Sequence, residues 1–234
     1  MKQLMENWKR FLGEELLNEN LVLKPGPNGW DLYGKLVAKA YEDAEDYQED
    51  AVRSYKALIP FIETMYKRIQ SEKEGRNRVK VEFVDEDPYM GDKHMKQEVA
   101  ATGILKIYTG GTEHPVFSHE FNLKFRAVHD WMAHIQIDTD FGMKGEIQAY
   151  NGHTHTAPPA GLPALFTEVV GQAAYFNTYG FFPKQKVAIL RGFDFKYVGK
   201  VDGYDIVEKE LVRREDNTAP SIEDKENETF DGEL

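Results

Sequence analysis

The stretch "FRAVHDWMAH", residues 125–134, sets three ionisable side chains among large apolar ones. Its apolar residues recur at the intervals of three and four that are typical of a helix packed on a core. His129, Asp130 and His134 interrupt that pattern. Because a buried ionisable group without a partner costs free energy, the stretch predicts a buried helix that carries a polar site.

The helix around this stretch is predicted to run from Glu120 to about Ile137. Side chains in a helix advance by about 100° per residue, so Asp130 and His134, four apart, share one side. The large aromatic residues lie on the opposite side, and His129 lies on the flank between the two faces. We therefore expect a helix that is buried on both sides, with Asp130 and His134 pointing inward.

A second helix is predicted from about Leu162 to Tyr179, where apolar residues again recur at helical spacing. Glu168 and Gln172 fall within or beside its apolar face. A carboxylate in such a position is either paired or shifted in pKa, because an isolated buried charge is too costly. The two helices form a central pair that carries the polar groups.

Most histidines of the chain are concentrated in one region: six of the seven lie between His114 and His155. Glu146 and the pair His153 and His155 fall between the two predicted helices. A spacing of two would place both histidines of the pair on one side of an extended segment. The sequence leaves open which of the two faces the site.

The sequence predicts an α+β fold dominated by helices. Residues 1–75 form a helical N-terminal region, and residues 76–212 form an α+β core that contains the polar cluster. Alternating residues predict strands at 78–84 and 103–109, which would form a small sheet. Residues 213–234 are predicted to be a disordered acidic tail, because they hold too few apolar residues to offset the entropy of ordering.

Helical spacing also runs from Tyr33 to Ile69, as one long helix or as two in series. Pro60 is expected to kink or divide it, because proline lacks the backbone N–H that a helix interior needs. The first residues of the chain, "MKQLMENWKRFLGEELL", read as an amphipathic helix.

Composition limits the classes of function. The chain has 234 residues, no Cys and a net charge of −11. The lack of Cys excludes disulfides, thiolate metal sites and a Cys nucleophile, and it suits a reducing cytosol. No apolar run approaches the roughly 20 residues of a membrane span, so we expect no membrane partner. Stable nucleic-acid binding is not expected of an acidic chain, although nucleic acid stays open as a substrate.

Imidazoles and carboxylates without thiolates are the ligand set of Zn²⁺, Fe²⁺ or Mn²⁺. Two histidines and one carboxylate with open positions would suit Lewis-acid hydrolysis or oxygen chemistry. The spacing matches no well-specified zinc motif, because the histidines of "HDWMAH" are five apart and those of H-E-x-x-H are four apart. A purely structural interpretation pairs Asp130 with His134, and Glu168 with Gln172 or a backbone amide.

Several stretches together resemble an uncharacterised family from tailed bacteriophages, similar also to a module within large polyvalent proteins of phages and conjugative elements. These are "VDEDPY" at 84–89, "GILKIYTGGTEHPVFSHEFNLKFRAVHDWMAH" at 103–134, "GEIQAYNGH" at 145–153 and "TEVVGQ" at 167–172. The similarity covers about residues 78–190. Ala133 departs from the family, which often has Gly there, and His155 is an additional imidazole. The resemblance implies a phage origin and a polar centre, and it supplies no activity.

The leading hypothesis is a phage-encoded protein with a metal-dependent or acid–base site that acts on a small molecule or a nucleic-acid component. The metal ligands would be drawn from His129, His134, His153 and Glu168. Asp130 and Gln172 would orient the ligands, and Glu146 would be the general base.

The alternative hypothesis is a structural component of the virion, or a protein packaged in it, in which the polar cluster only fixes the packing. The N-terminal helix or the acidic tail would then bind a phage or host protein. A third hypothesis, inhibition of a host nucleic-acid-binding protein, depends only on the tail mimicking phosphate charge. These hypotheses place the protein in the host cytoplasm or in the virion.

Overall fold

The computed structural model describes residues 29–71, 79–111, 113–196, 198, 204–207 and 210–213. The predicted amphipathic helix at the N-terminus and the predicted acidic tail lie outside these residues. Within them the fold is α+β and dominated by helices, which confirms the predicted fold class.

Seven α-helices and four strands are described: α1 (Gly29–Asp43), α2 (Val52–Gln70), β1 (Lys80–Val84), α3 (Asp92–Thr102), β2 (Ile104–Tyr108), α4 (His119–His129), α5 (Met143–Thr154), α6 (Leu162–Phe166), α7 (Gln172–Tyr179), β3 (Tyr204–Val207) and β4 (Glu210–Arg213). Two stretches of π-helix interrupt this pattern. The first π segment, Asp130–Gln136, continues α4. The second π segment, Thr167–Gly171, joins α6 to α7 without a break.

The long helical pattern near the N-terminus divides after Asp43, and Pro60 lies within an unbroken α2. The prediction that Pro60 could divide the helix is therefore wrong. The chain leaves α1 to form a parallel bridge between Tyr47 and Val187, and this pairing occupies backbone groups that a continuous helix would need. Leu58 and Ile62, on either side of Pro60, are buried in the core, so packing maintains α2.

The two strands predicted at 78–84 and 103–109 are confirmed as β1 and β2, which pair in parallel with Lys80 opposite Ile104. Parallel strands need a crossover connection, and α3 supplies it. This helix was not predicted from the sequence. Gly103, with φ of 69°, ends α3 in the left-handed conformation that glycine adopts without strain. Strands β3 and β4 form a separate antiparallel pair.

Helix α5 packs against both π segments and against α1, so it lies at the centre of the helical part. Its buried Tyr150 contacts Phe166 edge-on, and the Tyr33 ring of α1 packs on Phe193 in the same way. This arrangement brings the predicted polar residues of three helices into the core. None of the helices in the described residues is both long and apolar enough to cross a membrane.

Candidate metal centre

His129 and His134 come together because the helix changes geometry between them. Side chains five apart in an α-helix point about 140° away from each other. In a π-helix the turn closes at i to i+5, so residues five apart lie nearly over one another. The first π segment begins directly after His129, and the two Nε2 atoms are 3.1 Å apart. The α-helical pattern predicted His129 on the flank between the two faces, whereas the π segment brings it to the side of His134.

Glu146, in the first turn of α5, faces both of these histidines. Its Oε2 lies 3.3 Å from His129 Nε2, and its Oε1 lies 3.5 Å from His134 Nε2. The carboxylate is largely buried, with 11% of the side chain exposed. Two imidazole nitrogens, 3.1 Å apart, thus face the two oxygens of one carboxylate. We call these three residues the His₂Glu triangle.

The dimensions of the His₂Glu triangle suit a transition metal. Donor atoms that share one ion at about 2.1 Å, with angles between about 90° and 110°, lie about 3.0–3.4 Å apart. The N···N distance of 3.1 Å and the shorter N···O distance of 3.3 Å fall within this range. The orientation of the rings agrees with this. The His129 and His134 rings are nearly perpendicular, with centroids 4.9 Å apart, so their Nε2 atoms converge from different directions.

Thr139 fixes the tautomer of His134. The Thr139 hydroxyl donates to the Ala133 carbonyl at 3.1 Å, so its oxygen is left to accept from His134 Nδ1 at 2.9 Å. A proton on Nδ1 leaves Nε2 with a free lone pair, which is the form that binds a metal. Asp138, with φ of 63°, turns the chain after the π segment and returns Thr139 to the histidine.

His153, in the last turn of α5, lies behind His129. Its Nε2 is 3.2 Å from His129 Nδ1, and the residue is 2% exposed. His155 is exposed at the C-cap of the same helix. The alternative left open by the sequence is thereby resolved, since His153 is the inward-facing residue. The extended segment predicted for this region is wrong, because residues 143–154 are helical.

Asp130 is the carboxylate nearest to the histidines along the chain. One of its oxygens and one ring nitrogen each of His129 and His134 all lie within 4.8 Å of one another. Burial and the charge of Glu146 raise the Asp130 pKa to about 6, against the opposing effects of His129 and Arg126. Asp130 is therefore placed to act as an additional ligand or as a base.

The three histidines differ in protonation. Burial and the charge of His129 lower the pKa of His134 to about 4 and that of His153 to about 3, so both are neutral near pH 7. Burial alone would lower the pKa of His129 as well, but the adjacent Glu146 outweighs it and the net shift is upward. The raised pKa of His129 reflects the carboxylate of Glu146 beside its Nε2, where a positive charge is favoured.

Glu168 and Gln172 belong to a second polar cluster. The Gln172 amide donates to Glu168 Oε2 at 2.6 Å, and the buried Tyr55 hydroxyl donates to Glu168 Oε1 at 3.0 Å. His114 Nε2 lies 3.5 Å from the same oxygen. The recorded contacts of Glu168 are with these residues, and none is with the His₂Glu triangle. The pairing of Glu168 with Gln172 matches the structural interpretation offered above.

Three residues of these clusters were missed in the sequence analysis: Thr139, Tyr55 and His114. His114 Nδ1 accepts the backbone N–H groups of Val116 and Phe117, so its Nε2 carries the proton that faces Glu168. Tyr55 reaches Glu168 across 113 positions of sequence, and no local spacing could reveal such a contact. Thr139 follows the π segment, whose geometry the α-helical pattern does not indicate.

Comparison with family models, with curated proteins and with solved structures gives no match for this chain.

Proposed function

We propose that the His₂Glu triangle binds one divalent transition metal and that the protein is a metal-dependent enzyme. His129 Nε2, His134 Nε2 and the Glu146 carboxylate would be the ligands. The observation that carries the proposal is the approach of the two Nε2 atoms, 3.1 Å apart, to one carboxylate whose oxygens lie 3.3 and 3.5 Å from them.

The donor set favours a catalytic site over a structural one. A structural zinc site is closed by four protein ligands, whereas three ligands leave positions for water or substrate. Two histidines and one carboxylate with open positions are found in zinc hydrolases and in non-haem iron oxygenases. When bound, the ion would act as a Lewis acid on water, substrate or oxygen. Zn²⁺, Fe²⁺ and Mn²⁺ all fit this donor set.

The proposal changes three of the roles predicted from the sequence. Glu146 was predicted as the general base, but its contacts with both Nε2 atoms support a ligand. Glu168 was predicted among the ligands, but its hydrogen bonds with Tyr55 and Gln172 support a structural role. Asp130, within 4.8 Å of both histidine ligands, takes the role of base in this proposal.

A partly exposed aromatic ring lies beside the site. The Phe141 ring lies edge-on to His134, with centroids 4.6 Å apart, and is 38% exposed. Ile137, at the end of the first π segment, is 45% exposed. We propose a small molecule or a nucleic-acid component as the substrate. The resemblance to a tailed-phage family supports a phage protein that acts in the host cytoplasm or enters with the virion.

The test is metal analysis of the purified protein after supplementation with Zn²⁺, Mn²⁺ or, without oxygen, Fe²⁺. We expect about one equivalent of metal in the wild type and loss of it in a folded His129→Ala, His134→Ala double variant. His155→Ala, which removes an exposed histidine from the same region, is the matched control and should keep the metal. Circular dichroism and thermal unfolding verify that each variant folds.

A wild type that takes up no metal under any of these conditions would overturn the proposal. The cluster would then be a structural ion pair between His129 and Glu146, and the virion hypothesis would take its place. Stoichiometric copies of the protein in purified phage particles would support that alternative.

A further inference from the structure

His129 uses both of its ring nitrogens. Its Nε2 belongs to the His₂Glu triangle, and its Nδ1 faces His153 Nε2 at 3.2 Å. A metal ligand needs only one ring nitrogen, so the second contact requires its own explanation. His153 could be a further ligand, or it could hold the ring of His129 in place.

The ring geometry distinguishes these two roles. A ring nitrogen lies about 1.1 Å from its ring centroid, so two imidazoles that share a linear N–H···N bond have centroids separated by the N···N distance plus about 2.2 Å. The His129 and His153 centroids are 5.4 Å apart, and their planes are inclined by 28°. The two nitrogens therefore point at each other in line, as in a hydrogen bond.

The His129 and His134 pair has a different arrangement. Its nitrogens are 3.1 Å apart, but its centroids are only 4.9 Å apart. The ring axes of this pair are therefore bent away from the line between the nitrogens, as the axes of two ligands that share an ion are. Of the two contacts made by His129, only the one with His134 has the convergence that two ligands of one metal require.

We propose that His153 is a positioning residue, and that its Nε2 accepts the Nδ1–H of His129 and thereby leaves His129 Nε2 free for the metal. This inference rests on the proposed function. It assigns His153 a role outside the ligand set, in contrast to the role predicted from the sequence. Metal-binding histidines commonly donate their other N–H to an acceptor that fixes their orientation. Here the acceptor is a neutral imidazole, which adds no negative charge to the site.

A buried polar atom supports the same assignment. If His153 Nε2 accepts, His153 carries its proton on Nδ1, and this Nδ1 is buried with no hydrogen-bond partner among the described residues. Leaving a donor unpaired in the core costs free energy. A leucine of similar size would avoid that cost, but it would leave the Nδ1–H of His129 without an acceptor.

The experiment compares the metal-loaded wild type with His153→Gln and His153→Leu. Glutamine keeps a side-chain acceptor, whereas leucine fills a similar volume without one. X-ray absorption spectroscopy of the zinc-loaded proteins counts the imidazole ligands, and competition with a chelator gives the affinity. We expect two imidazoles in all three proteins, an affinity about 10–100-fold lower in His153→Leu, and substantial recovery in His153→Gln.

Three outcomes would overturn the inference. Three imidazoles in the wild type would make His153 a ligand and would leave the proposed function intact. An unchanged affinity in a folded His153→Leu would remove the positioning role alone. A wild type that binds no metal would overturn the proposed function, and this inference with it. If His153→Leu does not fold, the imidazole count of the wild type and the metal affinity of His153→Gln decide whether His153 is a positioning residue.

Discussion

The Nε2 atoms of His129 and His134 are 3.1 Å apart because the helix that carries both residues changes from α to π geometry directly after His129. A π turn contains one more residue than an α turn, so two residues that are five apart lie on the same side of the helix. A π-helix is rare, and its single turns occur frequently at functional sites. In this protein the π segment accompanies the close approach of two imidazoles.

Replacing Glu146 with Gln should weaken metal binding strongly, because the amide is neutral and a poorer ligand than a carboxylate. Glu168→Gln is the matched control, since Glu168 is also a buried carboxylate but contacts Tyr55 and Gln172. Metal content after dialysis measures both. We expect Glu146→Gln to lose the metal and Glu168→Gln to keep it. The reverse result would assign the ligand role to Glu168.

Thr139→Val should lower metal affinity about tenfold or more, because valine has nearly the same shape but cannot accept the Nδ1–H of His134. Thr139→Ser keeps the hydroxyl and should bind metal nearly as the wild type does. Chelator competition measures the three affinities. Equal affinities for the valine and serine variants would show that the Thr139 carbonyl, 3.3 Å from the same nitrogen, suffices to fix the tautomer.

The sequence pattern predicted strands and α-helices where a regular period of apolar residues marks them. The alternation in residues 78–84 and 103–109 predicted β1 and β2, and helical spacing predicted the two helices of the central pair. The period of 3.6 residues cannot indicate a π segment, so the same pattern predicted His129 on the flank and not directly beside His134. Contacts such as that of Tyr55 with Glu168 depend on tertiary packing, which no local pattern contains.

Helix α5 was missed for a different reason. Its sequence, "MKGEIQAYNGHT", contains Gly145 and Gly152, and glycine inside a helix lowers the helical propensity. A Cβ at Gly145 would collide with the Asp140 backbone carbonyl. The glycine thus permits close approach of the loop that follows the first π segment and contains Thr139. The helix therefore contains a residue of low helical propensity at the candidate site, where such exceptions to local preference are expected.

Gly145→Ala should therefore destabilise the protein by about 1–3 kcal/mol, although alanine normally stabilises a helix interior. Gly152→Ala is the control in the same helix. A Cβ there would meet only the end of the Ile137 side chain, which is exposed and can turn aside, so we expect a change within about 1 kcal/mol. Denaturant unfolding measures both, and equal effects would contradict the importance of the Asp140 contact.

The stability of the metal-free protein should fall as the pH is lowered from 7 to 4, in part because His153 resists protonation. Its pKa in the folded protein is about 3, from a usual value of 6.5, owing to burial and the charges of His129 and His134. Below pH 6.5 the unfolded chain binds a proton at this residue that the folded protein does not bind, and the free energy of unfolding decreases accordingly.

His153→Gln removes this titration and keeps an acceptor for His129. We expect its free energy of unfolding to decrease less between pH 7 and pH 4 than that of the wild type, with the difference developing as the pH falls below 6.5. Urea unfolding in the presence of a chelator measures the two proteins at each pH. His134 and His129 titrate in both proteins, so the difference between the curves isolates His153. Parallel curves would mean that His153 is protonated as readily in the folded protein as in the unfolded chain.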